Sequence, residues 1–193
     1  MVHVVVWECM GSGGFNPLII KNEDEVNWTN LVWNNWSIPI HSMLAWIYHH
    51  KSLNTNGKLH KLGIRISNTC YICEAAIKTE EHLYFACEYS SRVITLMGSW
   101  LRVDLPMSDV LPWRLSRGSS KTRRNIINAV INACVYQIWH KHNTCKFEQK
   151  IVRPEKYVRL IIAEIRGKIM GLLNDKLREG DRKWIERALE RNE

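Results

Sequence analysis

The sequence predicts a mainly α-helical protein, and three observations support this fold class. Apolar residues recur at helical spacing in several segments, above all between residues 121 and 173. Cysteines and a histidine cluster between residues 70 and 87, and basic residues concentrate in the second half. Of the 193 residues, 46% are hydrophobic and 24% are charged, which is typical of a globular protein and excludes a disordered chain.

The first half of the chain contains several short predicted elements. The apolar run Val2–Trp7 fits either a strand or an irregular chain end. Pro39 suits the first turn of a helix, and apolar residues follow it at helical spacing. Thr55 is expected to cap a short helix that Gly63 ends. Four tryptophans in this half are expected mainly in the core, with stacking on bases as the alternative: Trp28, Trp33, Trp36 and Trp46.

The remaining elements are also predicted to be helices. Thr79 is expected to cap a helix that carries His82 and Cys87, but five residues are about 140° more than one α-helical turn. The pair therefore shares a face only if the helix ends or bends there. Longer helices are predicted over Lys121–His142 and from Pro154 onward, with a short amphipathic one at Asp181–Arg191.

Four residues have the spacing of a metal site, C-x2-C-x8-H-x4-C: Cys70, Cys73, His82 and Cys87. Three thiolates and one imidazole complete the tetrahedral coordination of one Zn²⁺, and a site without an open position is structural. A redox-active dithiol at Cys70 and Cys73 is the alternative, but the strand-to-helix context of such motifs is missing. The predicted fold is therefore a small helical domain around one structural Cys3His zinc site, followed by a basic helical C-terminal region.

A second cluster is less favourable for a metal: Cys134, His140, His142 and Cys145. Cys134 falls on the apolar stripe of a predicted helix, where a small buried cysteine is ordinary core material. His140 and His142 would point about 200° apart on a helix. We expect no metal there.

Positive charge is concentrated beyond residue 113. Residues 114–168 carry 13 Lys and Arg against 3 Asp and Glu, a net +10, whereas residues 1–87 carry 6 against 7, a net −1. This distribution indicates an anionic partner, nucleic acid before an acidic membrane surface, with a merely solvated helix face as the alternative. The candidate contacts with RNA or DNA are Lys121, Arg123, Arg124, Lys141 and Lys146.

Cysteine usage and the absence of a leader pattern predict an intracellular protein, in nucleus or cytoplasm, that is not secreted. Six cysteines are too few for a disulfide scaffold of this length. The first ten residues have no basic region typical of a signal peptide. No apolar run approaches the roughly 20 residues of a membrane span, so we expect no membrane partner.

Motifs for catalysis are missing from the sequence. No two of the five aspartates are close in sequence, whereas a two-metal polymerase or nuclease needs converging carboxylates. There is also no Walker loop and no G-x-S-x-G nucleophile motif. We expect a protein that is not an enzyme.

Residues 25–170 resemble the zinc-binding domain of reverse transcriptases in plant-type non-LTR retrotransposons. The similarity rests on Trp33, Pro39, Trp46, Leu53-Asn54-Thr55, Leu59, Leu62-Gly63-Ile64, Cys70-Tyr71-Ile72-Cys73, Glu81-His82-Leu83-Tyr84-Phe85-Ala86-Cys87 and the downstream Val135–Trp139, His142-Asn143 and Phe147. Three positions depart from the family pattern: Ile40-His41, Ile94, and His142 in place of an arginine.

The resemblance implies a small helical domain, folded around one zinc ion, and this domain is expected to bind nucleic acid beside a polymerase. We therefore predict a zinc-binding domain at residues 25–102, preceded by a flexible or partly ordered segment 1–24 and followed by a linker 103–120 and a basic helical region 121–193. The leading hypothesis is a non-catalytic module that binds RNA or DNA. The alternative is a retroelement relic with a structural or protein-interaction role, in which the apolar face of residues 158–173 contacts a protein partner or a second copy of the chain.

Overall fold

The computed structural model describes most of the chain as helices that surround one core. The described residues are 5–10, 14–19, 29–63, 69–74, 76–103, 105, 119–148, 151–173 and 177–190. The predicted linker, residues 103–120, lies largely outside them. The domain boundaries given above stay predictions.

Two strands and seven α-helices make up the regular structure of the described residues. The strands β1 (Val5–Met10) and β2 (Gly14–Ile19) pair antiparallel, with Val5 opposite Ile19 and Met10 opposite Gly14. The helices are α1 (Thr29–Val32), α2 (Pro39–His49), α3 (Asn56–Lys61), α4 (Glu88–Leu101), α5 (Lys121–Glu148), α6 (Pro154–Met170) and α7 (Glu179–Leu189). A one-turn π-helix, His82–Ala86, precedes α4 directly. The predicted mainly helical class is confirmed.

Local sequence signals explain several helix ends. Pro39 occupies the first turn of α2, and Pro154 that of α6, as expected for a residue without a backbone N–H. The side chain of Thr55 caps α3 by accepting a hydrogen bond from the N–H of Lys58 at 3.3 Å. Gly63 follows α3 with φ of 82°, a left-handed conformation that glycine adopts without steric cost.

The long helix α5 lies at the centre of the packing. It contacts α1, α2, α4, α6 and the π-helix, while α4 also packs on α6. The core that these contacts bury is continuous from the segment around Cys70 and Cys87 to Ile185 of α7. The apolar stripe of α6 belongs to this core through five buried residues: Val158, Ile161, Ile162, Ile165 and Ile169. The predicted metal segment and the basic helical region therefore share one core.

Helix α4 is absent from the sequence-based prediction, although its residues have helical periodicity. Val93, Met97, Trp100 and Leu101 are all at most 2% exposed and line one face of it. Trp100 also donates a hydrogen bond from Nε1 to the carbonyl oxygen of Ala188 at 2.8 Å, which links α4 to α7.

A buried asparagine connects α5 to the first helical segment. Asn132 is fully buried, and its Nδ2 lies 3.1 Å from the carbonyl oxygens of both Leu31 and Val32, at the end of α1. The same Nδ2 donates to Oγ of Ser37 at 3.0 Å. The same carbonyls also accept from other side chains, Leu31 from Nδ2 of Asn34 at 3.1 Å and Val32 from Oγ of Ser42 at 2.7 Å, so a buried polar network attaches the end of α1 to α2 and α5.

We expect Trp100→Phe to destabilise the protein by about 2–3 kcal/mol, because it leaves the Ala188 carbonyl unpaired and removes part of a fully buried ring. The measurement is the free energy of unfolding of metal-loaded protein by chemical denaturation. Trp33→Phe is the matched control, since Trp33 is 49% exposed and its replacement should change stability by less than about 0.5 kcal/mol. Equal effects of the two substitutions would contradict this account.

Candidate metal centre

The first two candidate ligands lie on a tight turn of the backbone. The N–H of Cys70 donates to the carbonyl of Ala76 at 2.8 Å, and the N–H of Glu74 donates back to the carbonyl of Cys70 at 2.9 Å. Thr69 and Ile77 form an isolated antiparallel bridge beside this turn, and Glu74 has φ of 55°. The hairpin-like closure brings the side chains of Cys70 and Cys73 to the same place.

The other two candidate ligands are brought together by the π-helix. Just before the π-helix, Oγ1 of Thr79 accepts a hydrogen bond from the backbone N–H of His82 at 3.1 Å. The N–H of Cys87 then donates to the carbonyl of His82 at 2.8 Å, a bond across five residues. Because a π-turn is wider than an α-turn, residues five apart come onto one face. This local π-turn is the change of helix geometry that the spacing of His82 and Cys87 requires.

The four donor atoms converge closely enough to hold one ion. All of them lie within 4.8 Å of one another, and Sγ of Cys73 is 3.3 Å from Nε2 of His82. Tetrahedral zinc with Zn–S of about 2.3 Å and Zn–N of about 2.0 Å needs donor–donor distances of roughly 3.5–3.8 Å, which small side-chain movements would reach. Cys70 and Cys87 are fully buried, His82 is 7% exposed and Cys73 is half-buried, so three of the four ligands are shielded from bulk water. The donor set fits Zn²⁺.

Cys87 lies where a thiolate is stabilised. A hydrogen bond with Cys70, and then those with the backbone N–H groups of Ser90 and Tyr89, lower the pKa of Cys87 to about 7 despite its burial. Those N–H groups belong to the first turn of α4, whose dipole favours negative charge. The helix that the sequence-based prediction missed thus supports a metal ligand.

The second cysteine–histidine cluster does not form a ligand set. Only the group of Cys70, Cys73, His82 and Cys87 brings three or more such donors together in the described part of the chain. Burial raises the pKa of the Cys134 thiol to about 12, which disfavours a metal-binding thiolate. The side chain of His142 instead turns toward Cys87, with Nε2 at 3.4 Å from Sγ.

Comparison with known proteins identifies the segment that contains this site. Residues 15–93 match the family described as zinc-binding in reverse transcriptase. Residues 15–93 therefore belong to the reverse transcriptase zinc-binding family. The resemblance inferred from the cysteine and histidine pattern is confirmed at that level. No match was found among curated proteins or among solved structures.

The reverse transcriptase zinc-binding family match ends before α4 does. The polymerase domain of reverse transcriptases is not among the matches, and α5, α6 and α7 lie outside the matched residues. Among the described helices, none is both long enough and apolar enough to cross a membrane.

The candidate nucleic-acid contacts occupy different environments. Lys121 and Arg124 are exposed at the start of α5, and Arg124 donates from Nη1 to the carbonyl of Ser119 at 2.8 Å. Lys141 is only 4% exposed, so we leave it out of the surface proposed below. The side chain of Lys146 lies outside the part of the chain that the structure describes.

Arg123 has a clear packing role. Its Nε donates to Oδ1 of buried Asp181 at 3.0 Å, and its Nη2 donates to the carbonyl of Gly180 at 2.8 Å. Its guanidinium also lies 5.9 Å from the ring centre of Trp184. Arg123 thereby connects the start of α5 to the start of α7.

We expect Arg123→Gln to lower the free energy of unfolding by about 1.5–3 kcal/mol, because it removes a charged donor from a carboxylate that is 3% exposed. Thermal or chemical denaturation measures this loss. Arg124→Gln is the neighbouring control, and it should stay within about 0.5 kcal/mol of the wild type. An effect of Arg124→Gln as large as that of Arg123→Gln would contradict the assigned packing role.

We expect the purified chain to contain one zinc per molecule. His82→Ala and Cys70→Ser should abolish stoichiometric zinc, because three remaining ligands leave an open and weaker site. Elemental analysis after removal of loosely bound metal measures the ratio. Cys134→Ala is the matched control and should retain the full ratio; a loss there equal to that in His82→Ala would show that the assigned ligand set is wrong.

Proposed function

We propose that the chain is a non-catalytic zinc-binding module derived from a retroelement reverse transcriptase, of the non-LTR class typical of plants, and that it binds RNA or DNA through its basic helices. One observation carries the first part: Cys70, Cys73, His82 and Cys87 supply four converging donors, three of them from buried residues, in a segment that matches that family.

The donor set supports a structural role for the metal. Three sulfurs and one imidazole nitrogen leave no position for a reacting water. Bound zinc would cross-link the segment and contribute to the free energy of folding. In small structural sites the apparent free energy of zinc binding is about 10–16 kcal/mol. Cys70 and Cys73 would hold the turn against His82 and Cys87, and the buried Leu83 and Tyr84 between the latter two fill the adjacent core.

The second part of the proposal is supported by the exposed cations of the basic segment. Among the described residues between 114 and 168, five Lys and Arg side chains are exposed: Lys121, Arg124, Arg153, Lys156 and Arg159. Cations of this kind contact phosphates and orient a protein on nucleic acid without reading its sequence. Each contact releases counterions, so binding through them weakens steeply as salt rises.

The test is fluorescence anisotropy of labelled single-stranded RNA and DNA, titrated with zinc-loaded protein at several salt concentrations. We expect salt-sensitive binding, and the double variants Lys121→Gln/Arg124→Gln and Lys156→Gln/Arg159→Gln should each weaken it. If both cations of a pair contact phosphates, the slope of log affinity against log salt should fall by about 1.4.

Arg92→Gln is the matched control for these variants. Arg92 is exposed on α4, but its Nε donates to Glu155 at 3.1 Å, so its charge is already neutralised locally. The Arg92→Gln substitution should therefore leave the slope of log affinity against log salt unchanged. Affinity that does not change with salt would contradict phosphate binding.

No binding at low salt would favour the alternative, a structural or protein-interaction role without nucleic-acid affinity. The apolar stripe at residues 158–173 is mostly buried in the core, so a partner would have to use the opposite side of α6. Leu160 and Met170 are 57% and 63% exposed there. Size-exclusion chromatography coupled to light scattering would then detect a dimer, and Leu160→Gln should dissociate it.

A further inference from the structure

A residue far from the ligands in sequence contacts the candidate metal centre. His142, in the C-terminal part of α5, is 1% exposed. Its Nδ1–H donates to the carbonyl oxygen of Ile138 at 2.9 Å, which fixes the ring, and its Nε2 lies 3.4 Å from Sγ of Cys87. This is hydrogen-bond distance for a sulfur atom, and because Nδ1–H already donates to Ile138, Nε2 donates to a Cys87 thiolate when the imidazole ring carries both protons.

A buried lysine joins the metal segment to the same turn of α5. Lys78 lies between the second and third candidate ligands and is 2% exposed. Its Nζ donates to the carbonyl oxygen of His142 at 3.0 Å and to Oδ1 of Asn143 at 2.6 Å. An ammonium group is buried only where it is well paired, so these contacts hold the backbone of α5 beside the site.

A third contact lies two turns earlier on α5. Tyr84, inside the π-helix between His82 and Cys87, donates from its hydroxyl to the carbonyl of Val135 at 3.2 Å. The tyrosine is 3% exposed. Both halves of the ligand set are thus attached to α5: the turn after Cys73 through Lys78, and the π-helix through Tyr84.

We infer that His142 is an outer-shell residue of the metal centre, and that metal binding and the docking of α5 stabilise each other through it. The helix α5 lies outside residues 15–93, so this wall of the site is built from residues beyond the family match. Outer-shell partners that fix a ligand are typically worth about 10- to 100-fold in metal affinity. The inference rests on the proposed zinc binding of the chain.

The first test uses the wild-type chain. Hydrogen exchange of α5 is followed by mass spectrometry with zinc bound and after removal of zinc by a chelator. We expect exchange between residues 132 and 145 to accelerate at least 10-fold on zinc removal, whereas exchange at the start of α7, beside Arg123, should change less. Exchange in this part of α5 that is the same with and without zinc would overturn the inference.

The second test compares substitutions of two histidines on the same helix. His142→Phe keeps a buried ring but removes the nitrogen that faces Cys87, and it should weaken zinc binding by about 10- to 100-fold at an unchanged ratio of one zinc per chain. His140→Phe is the control, since His140 is exposed and stacks on Tyr136. Competition with a chelator of known affinity measures both constants.

The outcomes separate this inference from the proposed function. A wild type that binds no zinc would overturn the zinc-binding function and the inference with it. A wild type that binds one zinc, with His142→Phe within twofold of His140→Phe, would overturn the outer-shell role alone. If His142→Phe does not fold, Lys78→Met tests the same coupling without leaving a buried charge, and it should also accelerate exchange in residues 132–145 of the zinc-loaded protein.

Discussion

The five-residue hydrogen bond from the N–H of Cys87 to the carbonyl of His82 is the constraint on which the site depends. An α-helix would direct these two side chains to different sides, whereas the π-turn directs both toward Cys70 and Cys73. Cys87 is also the N-cap residue of α4, so the last ligand directly precedes the first residue of a core helix. Geometry at the site therefore determines where α4 enters the core.

That junction explains why the metal segment is not a separate module in this chain. The buried face of α4 packs on α6, and Trp100 at its end connects to α7. Helix α5 covers another side of the metal segment, because its Val135 carbonyl accepts from Tyr84 and its His142 contacts Cys87. A small metal-stapled segment buries little apolar surface by itself, and here it shares the core of the longer helices.

The sequence is sufficient to predict the features that depend on local chemistry. Pro39, Thr55 and Pro154 mark helix starts through the hydrogen bonds that they lack or make, and the ligand spacing identifies a Cys3His site. Helix α4 is absent from the prediction although its apolar residues recur at helical spacing, because the spacing of His82 and Cys87 predicts an end or a bend of the helix at Cys87. The spacing of His82 and Cys87 indicated a break in α-helical geometry, but only the structure identifies it as a π-turn that leads directly into α4.

Contacts between distant segments could not be predicted in the same way. The contact between His142 and Cys87 joins residues 55 apart, and no local pattern specifies which face of α5 meets the site. Composition also cannot predict which cations are available to a partner. Lys141 is buried and Arg123 donates to Asp181, although both add to the net charge like any other cation. Net charge indicates the class of partner, but the packing of α5 and α7 decides which charges remain exposed to meet it. The phosphate-binding surface that we propose is consequently narrower than the net charge suggests, and its exposed cations lie at the start of α5 and at the first turns of α6.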